Sequence, residues 1–65
     1  VATMCGGRVY PEIRAAQQSL PDPLRGIYPG PDTDTIGPEM RYDGCHMNAA
    51  GLDRHAEMWF EALTR

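Results

Sequence analysis

Apolar positions recur along the last third of the chain at Leu52, Ala56, Trp59, Phe60 and Leu63, a spacing that lays them on one face of a helix. Asn48 stands where a cap is wanted, and the pattern predicts a helix over 48–64. Its apolar stripe is expected to be buried, with Asp53, Arg54, Glu57 and Glu61 facing water. A second helix is predicted over 11–20. Pro11 suits a first helical position, Glu12 complements the positive end of the dipole, and Ile13, Ala16, Gln17 and Leu20 follow helical spacing until Pro21 stops it. Val1 to Met4 is short, apolar and partly β-branched, which predicts a buried strand over 1–5 that ends at Cys5-Gly6-Gly7. Gly26-Ile27-Tyr28 predicts a second, short strand over 26–29. The loop over 29–47 is rich in proline and glycine and excludes a long regular element. Strand, helix, short strand and helix predict an α/β fold, the end of a three-layer sandwich with a parallel sheet.

Composition narrows this picture. Sixty-five residues allow one small domain, and a chain this short buries a modest core. Hydrophobic residues make up 42%, which favours a folded chain over a disordered one. The net charge of −3 and the scatter of the basic residues exclude the basic face that nucleic-acid binding needs. Every base is arginine, so a lysine Schiff base or a Walker-type phosphate loop is outside the chain's chemistry. No apolar run is long enough to span a membrane. The chain opens directly on its predicted strand, without an initiator methionine, and is expected to be a section of a larger protein. Cys5 and Cys45 can form one disulfide or remain two free thiols, and two cysteines alone favour the free thiols.

The stretch with most chemical content is Arg41-Tyr42-Asp43-Gly44-Cys45-His46. A histidine acts as a general base when a carboxylate holds its other ring nitrogen, and Asp43 can do this for His46 across one turn. The plainer alternative has Asp43 capping the turn and His46 on the surface, and residue types and spacing leave both open. A zinc site at Cys5, Cys45, His46 and His55 lacks the close ligand pairs such sites favour, so no metal is expected. A calcium loop at Asp32 and Asp34 fails at Ile36, where an oxygen is wanted. Those residues are better read as bonding their own backbone and shaping the loop.

The run Gly30-Pro31-Asp32-Thr33-Asp34-Thr35, then Arg41 to His46, then Gly51 and the helix with Trp59, resembles the C-terminal end of SGNH (GDSL-type) hydrolases. Among these it is most similar to carbohydrate esterases of the sialate O-acetylesterase type. Ile13-Arg14-Ala15-Ala16-Gln17 is similar to their upstream arginine-and-glutamine helix. The resemblance implies a flavodoxin-like α/β/α sandwich, a serine esterase acting on O-acetylated carbohydrate, and no cofactor. It makes His46 the general base and Asp43 its orienter, while Tyr42, Cys45 and Gly6 are candidates for the substrate wall. It fits an extracellular or periplasmic setting without fixing one. No Gly-Asp-Ser block is present, the lone serine is Ser19, and the lone asparagine, Asn48, follows the histidine. The nucleophile and the oxyanion donors are therefore expected from the remaining part of the same hydrolase domain, and this chain alone is expected to be inactive.

Overall fold

The computed structural model describes residues 1–64. Two helices, α1 (Pro11–Gln18) and α2 (Ala49–Leu63), are joined by a long irregular segment carrying three single-turn 3₁₀ helices at Pro23–Arg25, Thr33–Thr35 and Pro38–Met40. Helix α1 lies inside the predicted range, with Pro11 in its first turn. It ends at Ser19, whose backbone N–H reaches back to Ala15 and whose hydroxyl donates to the Ala16 carbonyl. At α2 the Asn48 side chain accepts from the Gly51 N–H at 2.9 Å, the predicted cap. The Asn48 backbone N–H donates to the Met40 carbonyl at 2.8 Å, so the helix start is tied to the turn before it. Gly51 permits that closeness, because a Cβ there would press on the Met40 carbonyl and on Met47.

The expected α/β sandwich is not formed: among the described residues there is no strand and no sheet, only three isolated antiparallel bridges. The reason lies in where the backbone groups of Val1 to Met4 go. A sheet needs a neighbouring strand to take them. Here the N–H groups of Thr3 and Met4 both donate to Asp34 Oδ1, at 2.6 and 2.8 Å, and that of Ala2 donates to Gln17 Oε1. The Val1 carbonyl accepts from the Thr33 N–H at 2.8 Å. Side chains and a loop have taken the place of a strand. The predicted strand over 26–29 reduces to one bridge, in which Asp22 and Ile27 exchange both backbone hydrogen bonds around the Pro23–Arg25 turn. Pro29 follows and has no N–H to extend the pairing.

The predicted burial of the α2 stripe is also overturned. Leu52, Phe60 and Leu63 are 58%, 69% and 77% exposed, and Ala56 is exposed beside them. Helix α2 turns a neighbouring face to the chain instead, with Gly51 buried and His55, Met58 and Ala62 half-buried. Trp59 stands at the border, its ring against Gly30, where a Cβ would come within 2.9 Å of it. The overall form explains this. The chain measures 38 × 28 × 12 Å, one layer thick. Its radius of gyration is 12.6 Å, against about 10.7 Å for a compact chain of this length. One layer has two outer faces, and among the described residues nothing lies over the outer side of α2.

What is buried is mainly polar. Ile36, 1% exposed, is the buried hydrophobic residue, and Thr33, Asp34 and Arg41 are buried around it. Among the described residues, every buried side-chain nitrogen and oxygen has a hydrogen-bond partner.

Candidate functional site

The site begins with two backbone contacts. Tyr42 N–H donates to the His46 carbonyl at 3.0 Å, and Arg41 and Met47 form an antiparallel bridge just outside. Residues 42 and 46 thus face each other across a tight turn through Asp43, Gly44 and Cys45. Gly44 adopts a φ of +76°, which glycine takes without strain. It also lies close to a neighbouring loop, where Gly7 N–H donates to the Gly44 carbonyl at 2.9 Å, and a Cβ on Gly44 would come within 2.8 Å of that nitrogen.

Asp43 has two roles in this turn. Its Oδ1 accepts from the backbone N–H groups of Cys45 and His46, at 2.9 and 2.6 Å. Its Oδ2 meets His46 Nδ1 at 2.6 Å. The two contacts that were alternatives in the sequence, to the turn's backbone and to the imidazole, are both made by one carboxylate. The His46 hydrogen bonds, first from its ring and then from its backbone, hold the Asp43 carboxyl down to about 2, with the Cys45 N–H adding to the effect. It is therefore an anion at neutral pH.

The imidazole is fixed on a second side. Its ring stacks on Tyr42 with centroids 5.8 Å apart and planes 14° from parallel. With Nδ1 on Asp43 and one face beside Tyr42, Nε2 is the ring nitrogen without a partner among the described residues, on a side chain 68% exposed.

Behind the turn lies a scaffold of charge. Arg41 is buried and reaches four carbonyls: its Nε donates to Ile36, one terminal nitrogen to Thr33, and the other to Cys45 and Met4. This one side chain holds together the N-terminal segment, the 3₁₀ turn at Thr33–Thr35 and the dyad turn. Asp34 has a matching role. It accepts from the Thr3 hydroxyl, from the Thr3 and Met4 N–H groups, and from Arg14 at 2.9 Å. Burial pushes its carboxyl up, but the Thr3 hydroxyl and N–H, Arg14 and the Met4 N–H outweigh that and bring it to about 2. Arg14 also grips Asp32 with both terminal nitrogens, at 2.7 and 2.6 Å, which lowers the Asp32 carboxyl and raises the guanidinium.

The cysteines join this scaffold to the site. Cys5 and Cys45 form a disulfide, so the free-thiol reading is corrected. It sets the Cys5 to Arg8 turn, with Gly6 and Gly7, against the turn bearing Asp43 and His46. Gly6 and Cys45, the residues expected on the substrate wall, thus lie near the dyad turn, and the Cys45 sulfur is committed to the bridge. Tyr42 is at the dyad too, with one ring face directed to His46. Neither cysteine is free to ligate a metal, and His55 Nε2 accepts from Trp59 Nε1 at 3.1 Å. Asp32 and Asp34, weighed as calcium ligands, are partners of Arg14.

Sequence reasoning missed Arg41 and the Arg14–Asp34 contact as the supports of the site. A signal for the second was present: an arginine three residues from a glutamine on α1, and two aspartates two residues apart in a loop that must pack somewhere. Arg41 left no comparable signal, since its partners are backbone carbonyls.

No protein-family model, curated protein or solved structure matches the chain. The functional reading therefore rests on the residues and their geometry. No helix among the described residues is long and apolar enough to cross a membrane.

Proposed function

We propose that this chain supplies the general base and its orienting acid to a serine esterase that removes acetyl groups from carbohydrates. One observation carries the reading: Asp43 Oδ2 sits 2.6 Å from His46 Nδ1, and the opposite ring nitrogen, on an exposed side chain, has no partner among the described residues. That is the arrangement a base needs when its tautomer must leave Nε2 ready to accept a proton. Ser19 is an unsuitable nucleophile, because its hydroxyl donates to the Ala16 carbonyl at the end of α1.

The serine and the oxyanion donors come from polypeptide beyond these residues. In the assembled site, His46 Nε2 takes the serine proton as the serine oxygen attacks the acetyl carbonyl. The tetrahedral oxyanion then collapses, and the sugar oxygen leaves with the proton returned by Nε2. Water, deprotonated by the same nitrogen, attacks the acetyl-serine, releasing acetate and restoring the hydroxyl. Asp43 stabilises the imidazolium at each stage. The substrate wall is assigned to Tyr42, Gly6 and the Cys45 backbone, all beside the dyad.

The test is turnover of a chromogenic acetate ester and of an O-acetylated sugar by the native protein bearing this sequence. Replacement of His46 by alanine is expected to lower kcat by about 10²–10⁴-fold, with the circular dichroism spectrum unchanged. Full activity in His46→Ala rules the reading out. A second reading, a non-catalytic fragment or small binding module, draws on Asp43 Oδ1, which accepts two backbone N–H groups and so has a structural role of its own. That reading predicts no turnover in the parent protein and no effect of His46→Ala beyond the surface.

A further inference from the structure

We propose that Tyr42 is a positioning residue for the His46 imidazole, acting through ring stacking and not through its hydroxyl; the proposal takes its catalytic consequence from the base role given to His46 above. The hydrogen bond to Asp43 defines one point of the imidazole, Nδ1, and leaves the ring free to swing about the line joining the two groups. A second contact, out of that line, is needed to hold the plane. Tyr42 provides it. The two residues lie opposite each other across the turn, joined by the hydrogen bond from Tyr42 N–H to the His46 carbonyl, so their side chains leave on the same face. The rings then meet at 5.8 Å with planes 14° apart, within the range of offset aromatic stacking. The Tyr42 ring is 72% exposed and packs into no core, so its stacking with His46 is the contact that gives it a place.

The same stacking bears on the chemistry. Asp43 at Nδ1 and Tyr42 beside the ring thus hold the imidazole from two sides, which keeps Nε2 in one place for proton transfer. Phenylalanine has the same face as tyrosine and alanine has none, which separates stacking from any contact made by the hydroxyl.

The experiment uses the native protein with Tyr42, Tyr42→Phe and Tyr42→Ala, read in two ways. By NMR, the His46 ring protons in the parent and in Tyr42→Phe should show the same ring-current displacement and cross-relaxation to the aromatic ring, and both should vanish in Tyr42→Ala. By kinetics on an acetate ester, Tyr42→Ala should lower kcat by roughly two- to fivefold, and Tyr42→Phe, which keeps the aromatic face, should lower it less. Unmoved His46 ring resonances in Tyr42→Ala overturn the proposal, as does a Tyr42→Phe variant as slow as Tyr42→Ala. A parent protein without ester turnover defeats the esterase reading alone, and the NMR comparison still decides whether Tyr42 positions the ring.

Discussion

The segment from Val1 to Met4, with the turns it touches, and the outer face of α2 use opposite means of holding a chain together. Around the N-terminal segment the groups are polar and almost wholly satisfied: Asp34 takes four donors, Arg41 reaches four carbonyls, and a disulfide joins Cys5 to Cys45. On the outer face of α2 the groups are apolar and open, with Leu52, Phe60 and Leu63 more than half exposed. The first region has directional contacts that fix the positions of the atoms they join. The second has surface that favours burial by about 25 cal/mol per Å² and finds nothing to bury against. Accuracy at the dyad turn therefore comes from hydrogen bonds and a covalent link, and a hydrophobic core contributes little to it beyond Ile36.

The comparison is broken most severely by removing the covalent link. Replacing Cys5 and Cys45 by serine opens a crosslink between residues 40 apart in sequence, and on the loop-entropy model the loss is about 4 kcal/mol. Melting the parent with and without reductant checks this: the reduced parent should match the double-serine variant, and unchanged melting in both contradicts it.

Arg41→Ala comes next, at about 3 kcal/mol, because it strips a donor from four carbonyls, those of Ile36 and Thr33 in buried bonds. Lysine should recover little of this, since one ammonium cannot reach acceptors spread around the edge of the guanidinium. Denaturant midpoints of the two variants against the parent give the answer.

Asp34→Asn should cost about 2 kcal/mol by removing a buried charge partner of Arg14. It also carries a pH signature. The Asp34 carboxyl is lowered from 3.8 to about 2 in the folded protein, so the folded state binds its proton less readily than the unfolded chain does. Its contribution to stability is complete above 3.8 and is lost as pH falls through about 2. Asp43, lowered in the same direction to about 2, adds to the same acid limb. Melting curves from pH 6 to pH 2 should show a shallower acid loss in Asp34→Asn than in the parent, and parallel curves would exclude the assignment.

The smallest effect belongs to the apolar region. Phe60→Ser on the isolated chain should change stability by no more than about 0.5 kcal/mol, because Phe60 is already 69% exposed. A larger loss in chemical denaturation would mean that this face is covered in solution, which sharpens the contrast between the regions in the opposite direction.

Legibility followed the range of the interactions. Helices α1 and α2 were readable because their signals are local: Pro11 and Pro21 bracket one, and Asn48 caps the other. The Asp43–His46 contact was readable as one of two options because three residues separate the partners. Burial was misread, since a helical stripe says which residues share a face and is silent on whether a second layer exists to cover it. The strands were misread for a related reason. An apolar, β-branched run is compatible with a sheet, but Val1 to Met4 found its partners in Asp34, Gln17 and Thr33, up to 32 residues away.

The amino-acid order by itself determined the two helices, the tight turn at Asp43-Gly44-Cys45 and the placing of one carboxylate within reach of one imidazole, since each depends on neighbours within a few residues. Only the tertiary structure decided that Arg41 and Asp34 are the buried supports, that Cys5 and Cys45 are bridged, that Tyr42 lies on the His46 ring, and that the apolar face of α2 stays open. Those outcomes depend on which distant groups meet in space, and a pattern along the chain does not encode the meeting.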